Sequence, residues 1–183
     1  MENLKYAGFW KRFCANFIDA LIFIPFTFLI AFLSSHSKYL FILLQITYCF
    51  LAYGYYIYFL NRWGKTLGKM AVKIRVVQLN GEALELKHAL LRYCVDMMFA
   101  VLIMLGYVIA ISNIPEEKWV TIPWIEQSKE ISKLQPVFFN WVTCLSIVWT
   151  YSELIVLLFN KKKRALHDFI AGTVVVREES LPA

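Results

Sequence analysis

The sequence predicts an all-α membrane protein: four transmembrane helices with a small cytoplasmic β-hairpin element, in a single domain covering residues 1–183. Three observations carry this. Hydrophobic residues make up 60% of the chain and the mean hydropathy is +0.56, whereas soluble domains are roughly 45–50% apolar. Four stretches reach the about 20 mainly apolar residues that a bilayer crossing requires. The basic residues gather in alternate connections.

The first span is read at residues 13–33. It carries Asn16 and Asp19, its apolar run is too long for a secretory leader, and no Ala-x-Ala site follows, so it is expected to be retained. A tight "SSHS" turn leads to the second span, residues 39–60, where Gly54 is expected to permit close helix approach. The cytoplasmic connection, residues 61–88, contains "IRVVQLNGEALEL". Asn80-Gly81 between two apolar runs is a strong hairpin signal, and the β-branched "TVVVRE" of the tail is a further strand able to pair with it. The third span, residues 89–112, leads into an outer loop broken by Pro115, Pro123 and Pro136. Trp119 and Trp124 in that loop are expected at the outer membrane interface. The fourth span is residues 137–159, followed by a cytoplasmic tail, residues 160–183.

Charge sets the orientation. Lys5, Lys11 and Arg12 precede the first span. Arg62, Lys65, Lys69, Lys73, Arg75 and Lys87 follow the second, and Lys161, Lys162, Lys163, Arg164 and Arg177 follow the fourth. Only Lys38, Lys118, Lys129 and Lys133 fall on the other side. The positive-inside rule then places both termini in the cytoplasm. The net charge of +6 is accounted for by these loops, and nucleic acid is not expected as a partner.

Several motifs dissolve on inspection. "GKTLGK" fails as a phosphate-binding loop: three residues separate Gly64 from Gly68, and Met70 stands where Ser or Thr is needed. Cys14, Cys49, Cys94 and Cys144 form no Cys-x-x-Cys pair and read as small packing residues. His36, His88 and His167 lack the companions of a metal site. No nucleophile with supporting context exists. Neither catalysis, a metal nor a cofactor is expected.

What remains is a recurrence of Arg and Asp. Arg12, Asn16 and Asp19 share one helical stripe; so do His88, Arg92 and Asp96; "RALHD" adds Arg164, His167 and Asp168. Asp19, Asp96 and Glu153 each lie six or seven residues inside the cytoplasmic end of a span, or roughly 9–10 Å deep at about 1.5 Å per residue. Exposing such an acid to lipid costs about 2.5–3.5 kcal/mol or more. These acids are therefore expected to face inward, toward Arg12, Arg92, Asn16 or one another, with one or two tyrosine hydroxyls of the second span as donors. Asp168 is expected to pair with an arginine of another segment, Arg12 or Arg92. Two readings stay open. Three acids against two arginines leave one carboxyl to hold a proton or bind a cation. Alternatively, the pairs are clamps that fix helix orientation.

Arg12 with Asp19, "GKTLGKMAVKIRVV" after the second span and "RALHDFIAGTVVV" in the tail resemble the RDD family of bacterial membrane proteins. The resemblance makes Arg12, Asp19 and Asp168 the signature positions, with Gly64, Thr66, Gly68, Lys69, Arg164, His167, Gly172 and Thr173 completing the motifs. Asp96 is an additional acid of the same style, and Glu153 stands outside the pattern. The resemblance implies the bacterial cytoplasmic (inner) membrane. It also implies a role in transport, proposed for some members with a proton or sodium ion, or an accessory role toward another membrane protein. On the transport reading, the acidic cluster near the cytoplasmic side binds a proton or small cation. The other reading is a non-catalytic accessory or regulatory subunit. Beyond the lipid bilayer, the expected partners are further copies of the chain or a partner membrane protein, since four helices make a thin wall for a solute path.

Overall fold

A computed structural model describes residues 5–34 and 36–180. Four helices are long and apolar enough to cross a membrane: α1 (Phe9–Ser34), α2 (Lys38–Trp63), α4 (Leu86–Ser112) and α7 (Val137–Phe159). Between them lie α3 (Leu67–Ala71), β1 (Ile74–Gln78), α5 (Glu116–Thr121) and α6 (Trp124–Leu134). The tail forms α8 (Leu166–Ile170), β2 (Thr173–Arg177) and a final 3-10 turn, Glu178–Ser180. The long helices turn large apolar side chains outward: Phe17, Phe50, Trp141 and Phe159 are all more than half exposed. A soluble protein rarely leaves such wide apolar surfaces open to water; lipid is the solvent that suits them. Ser35 of the "SSHS" turn and the side chain of Trp124 lie outside what is described.

The chain divides into two compact units: residues 1–22, 53–95 and 148–183, and residues 23–52 and 96–147. The first unit contains the sheet. β1 and β2 pair antiparallel, from Ile74 opposite Arg177 to Gln78 opposite Thr173. Beyond β2, Tyr6 bridges Val176, the Ala7 N–H donates to the Val175 carbonyl at 2.9 Å, and the Arg177 N–H donates to the Lys5 carbonyl at 2.8 Å. One sheet face places Ile74, Val76 and Val175 in a core with Ala7, Ala15, Leu60, Leu84 and Ala89. The other packs Val77, Val174 and Val176 against Tyr6.

The sheet corrects the expected pairing at Asn80-Gly81. A turn does form there, with the Gln78 N–H donating to the Glu82 carbonyl at 3.0 Å. The run after it stays irregular until Leu86 opens α4, and the tail supplies the second strand instead. Ala83, Leu84 and Glu85 are weak strand formers beside the tail's three consecutive valines.

In the second unit, the expected outer loop is largely helical. Pro115 and Pro123 do not break structure; each sits directly before a helix whose first turn carries Glu116 and Glu117, or Glu126. Proline suits a helix start, and carboxylates suit its positive end. Trp119 is fully buried with Ala110, Ile111, Ile114 and Ile131, rather than lying at an interface. Lys38 is also buried, its Nζ donating to the carbonyls of Ile114 (2.5 Å) and Ser112 (3.4 Å) at the end of α4.

The close helix approach expected at Gly54 occurs elsewhere. A Cβ on Gly54 would meet nothing within 4 Å, whereas one on Gly106 would lie 2.3 Å from the Phe139 ring. Small residues permit helix contact only on the packed face, and the apolar pattern does not mark which face that is. Three of the four cysteines, Cys14, Cys94 and Cys144, are exposed, and all four are free thiols.

Candidate functional site

The motif residues converge on two buried carboxylates in the first unit. Asp19 and Asp168 are both 0% exposed. Each exists in that condition only because neighbouring elements aim donors at it, since an unpaired buried charge is costly.

Asp19 joins α1 to the start of α3. Its Oδ2 accepts the Thr66 hydroxyl at 2.5 Å. Its Oδ1 accepts the Gly68 N–H at 2.7 Å and the Tyr55 hydroxyl at 2.9 Å. Tyr55 Oη in turn accepts the Leu67 N–H at 2.9 Å. Thr66 is the N-cap of α3, its Oγ1 also facing the Lys69 N–H. The carboxylate, Tyr55 and Thr66 thus satisfy the Gly68, Leu67 and Lys69 N–H groups that a helix start leaves unpaired. Gly68 is required by contact: a Cβ there would lie 2.0 Å from the Ala15 carbonyl oxygen and 2.8 Å from Asp19 Cγ. Gly64 is required by conformation, with φ +69°, and it ends α2 as its carbonyl accepts the Val76 N–H at 2.7 Å. This explains "GKTLGK" as a brace for Asp19 with no phosphate involved.

Asp168 lies on α8, and its position begins locally. Its Oδ2 accepts the N–H of Ala165 at 2.9 Å, half of a capping box. The same oxygen accepts Arg12 Nη1 at 2.6 Å, while Oδ1 accepts Arg92 Nη1 and the Thr173 hydroxyl (3.3 Å). The expectation that Asp168 pairs with Arg12 or Arg92 is met by both. Arg12 further donates to the carbonyls of Ala7 and Lys163, and Arg92 to Thr173 Oγ1 at 2.9 Å. Burial by itself would raise the Asp168 pKa; the charges of Arg92 and Arg12 override it and hold the carboxyl well below its ordinary value. Arg164, grouped from sequence with His167 and Asp168, is buried. It donates to the carbonyls of Asp168 (3.0 Å) and Thr173 (3.1 Å) and stacks 3.9 Å from the Phe169 ring centre. Gly172 links α8 to β2.

His167 extends the network to α7. Arg92 Nη2 lies 2.8 Å from His167 Nε2, and His167 Nδ1 contacts Glu153 Oε1. Arginine only donates, so Nε2 must offer its lone pair and the imidazole proton must sit on Nδ1, facing the carboxylate. This assigns His167 as neutral in this arrangement. An unbroken line then runs Glu153–His167–Arg92–Asp168–Arg12. Both its Glu153 and His167 side chains are about one-fifth exposed, at 19% and 20%.

Lys69 completes the set. It is buried, with Nζ 3.4 Å from Thr66 Oγ1. Burial, reinforced by Arg92, lowers its pKa to about 8 against the pull of Asp19. A lysine depressed on folding is penalised while charged, so its destabilising effect is full below about pH 8 and is relieved as pH rises toward the ordinary value of 10.5. Lys69 is therefore expected to titrate near pH 8 in a ¹³C NMR experiment on the reductively methylated protein, with the signal assigned by Lys69→Arg. Titration at the ordinary lysine value would contradict its burial.

The cluster of acids and arginines expected from the sequence is partly regrouped. Arg12, Arg92, Asp19 and Glu153 belong to the first unit. Asp96 is half-buried one turn beyond Arg92 on α4 and falls in the second unit. Asn16 is exposed: the buried stripe of α1 centres on Arg12, Ala15 and Asp19, which leaves Asn16 at its edge. In the first unit Arg12 and Arg92 both pair with Asp168, whereas Asp19 is held by Thr66, Tyr55 and the Gly68 N–H, and Glu153 by His167. Among the described residues, no group of three or more His, Cys, Asp or Glu is placed to hold a metal ion.

Apolar helices of membrane length, with short connecting segments closed over a buried arginine–aspartate network, define a multi-pass helical membrane protein. The model of the RDD family matches residues 6–172, and the chain belongs to that family. No match was found among curated proteins or among solved structures.

Proposed function

We propose that the protein is a proton-linked, transport-related component of the bacterial inner membrane, with both termini cytoplasmic, and not an enzyme. The observation that carries this reading is the line Glu153–His167–Arg92–Asp168–Arg12. Its partly exposed end offers two proton acceptors, the Glu153 carboxylate and the His167 Nε2 lone pair. The second is free to take a proton only when Arg92 withdraws, because a protonated Nε2 and a guanidinium N–H cannot both donate across 2.8 Å. Proton uptake at His167 and displacement of Arg92 are thus one event, and Arg92 is bound to Asp168 and Thr173. That coupling is the property a proton-linked transporter needs.

Purified protein in liposomes carrying an internal pH dye tests it. Sodium, potassium or lithium gradients are expected to drive a pH change that falls to the empty-liposome level in Glu153→Gln and His167→Gln. If wild type itself matches empty liposomes with all three ions, the transport reading is lost.

One observation favours a second reading, an accessory subunit without chemistry of its own. Arg12, Asp19, Thr66, Gly68, Arg164 and Asp168 all hold chain segments together. This reading requires a partner membrane protein or further copies of the chain. Crosslinking in the native membrane followed by purification is expected to recover that partner; recovery of the monomer alone would count against it.

A further inference from the structure

The second unit contains a cavity of about 450 Å³, within the roughly 300–1,000 Å³ of small-ligand sites. Its apolar wall includes Phe41, Trp119 and Ile131. Its polar side includes Gln45, Gln127 and Ser132, and no lining residue is charged. Gln127 is only 4% exposed, and its Nε2 donates to the Trp119 carbonyl at 3.0 Å. A carbonyl can only accept, so the orientation of this amide is fixed, and its Oε1 points elsewhere as an acceptor. Neither that oxygen, nor the half-buried Gln45 amide on α2, nor the Ser132 hydroxyl has a hydrogen-bond partner among the described residues. An amide left unpaired on a membrane-length helix is costly.

We propose that this cavity binds an uncharged, hydroxyl-bearing amphiphile. A hydroxyl both donates and accepts, so it satisfies Gln127 Oε1 and the Gln45 amide together. The apolar body lies along the half-buried Phe41 and Tyr107 rings of the lining. A charged head is disfavoured because the lining offers no counter-charge. A glyceride lipid of the bilayer has this chemistry.

The test uses the full chain in nanodiscs and a diazirine-bearing monoacylglycerol, with crosslinked peptides mapped. Crosslinks are expected to concentrate on residues 41–45 and 119–135. Gln45→Leu and Ser132→Leu are each expected to reduce them about threefold or more, the weakening that follows loss of one neutral hydrogen bond. Ser132 is exposed, so its variant keeps the test valid if Gln45→Leu fails to fold. Competition by dioleoylglycerol is expected, and competition by free glycerol without competition by dioleoylglycerol would overturn the amphiphile. Crosslinks spread along the outward apolar faces and unchanged in either variant, or insensitive to both competitors, would overturn the proposal.

Discussion

Asp168→Asn is expected to destabilise the protein by about 3–5 kcal/mol, the cost of leaving a buried charge without its partner. The asparagine keeps the shape of the side chain, yet it strands both Arg12 and Arg92, which are 9% and 5% exposed. Thermal unfolding in detergent checks this, with an expected drop in midpoint on the order of 10 °C. The pH dependence has a definite sign. A carboxyl whose pKa is depressed on folding contributes stability that is fully present above its unfolded value and lost as pH falls through the folded one. The gap between wild type and Asp168→Asn is therefore expected to stay constant from neutral pH down to about 5, then narrow in stronger acid. A variant as stable as wild type at neutral pH would show that the two arginines do not depend on Asp168.

Gly68→Ala is the second large effect. The added methyl would overlap the Ala15 carbonyl oxygen at 2.0 Å, and that atom is helix backbone with little room to yield. The start of α3 must move off α1, which also breaks the bonds from Thr66 and Gly68 to Asp19. Overpacking alone costs about 1–3 kcal/mol, and the lost hydrogen bonds add about 0.5–1.5 kcal/mol each. Gly54→Ala is the matched control. Its Cβ meets nothing within 4 Å, and alanine gains up to about 1 kcal/mol of helix propensity. Parallel unfolding curves for the two variants check the prediction; equal stabilities would contradict the close approach at Gly68.

The helices of membrane length were legible because lipid solvation writes itself into the sequence as long apolar runs. Span four, residues 137–159, matches α7 in both bounds, and the other three long helices extend a few residues beyond the spans read for them. The pairing of Asp168 with arginine was also legible, because the motif places an acid among arginines and a buried carboxylate needs a charged partner. So was a tyrosine hydroxyl on a buried acid, realised by Tyr55 and Asp19. What the sequence left open depends on direction. A stripe narrows a side chain to one side of a helix, but Asn16 at the edge of that stripe is exposed. Glu153 and His167 meet although they are 14 positions apart, a contact set by how α7 and the tail fold back. Pro115 and Pro123 read as breakers because proline both stops helices and starts them. Only the acidic residues that follow, Glu116, Glu117 and Glu126, carried a signal for the second role.

Arg12, Arg92 and Asp168 form one coupled, buried unit that ties the first helix, the third long helix and the tail together. A double-mutant cycle on Arg92→Met and Asp168→Asn, read by unfolding in detergent, tests this most directly. The two changes are predicted to be strongly non-additive, with a coupling of about 0.5–3 kcal/mol and a double variant less damaged than the sum of the singles. Additivity within about 0.3–0.5 kcal/mol would contradict it.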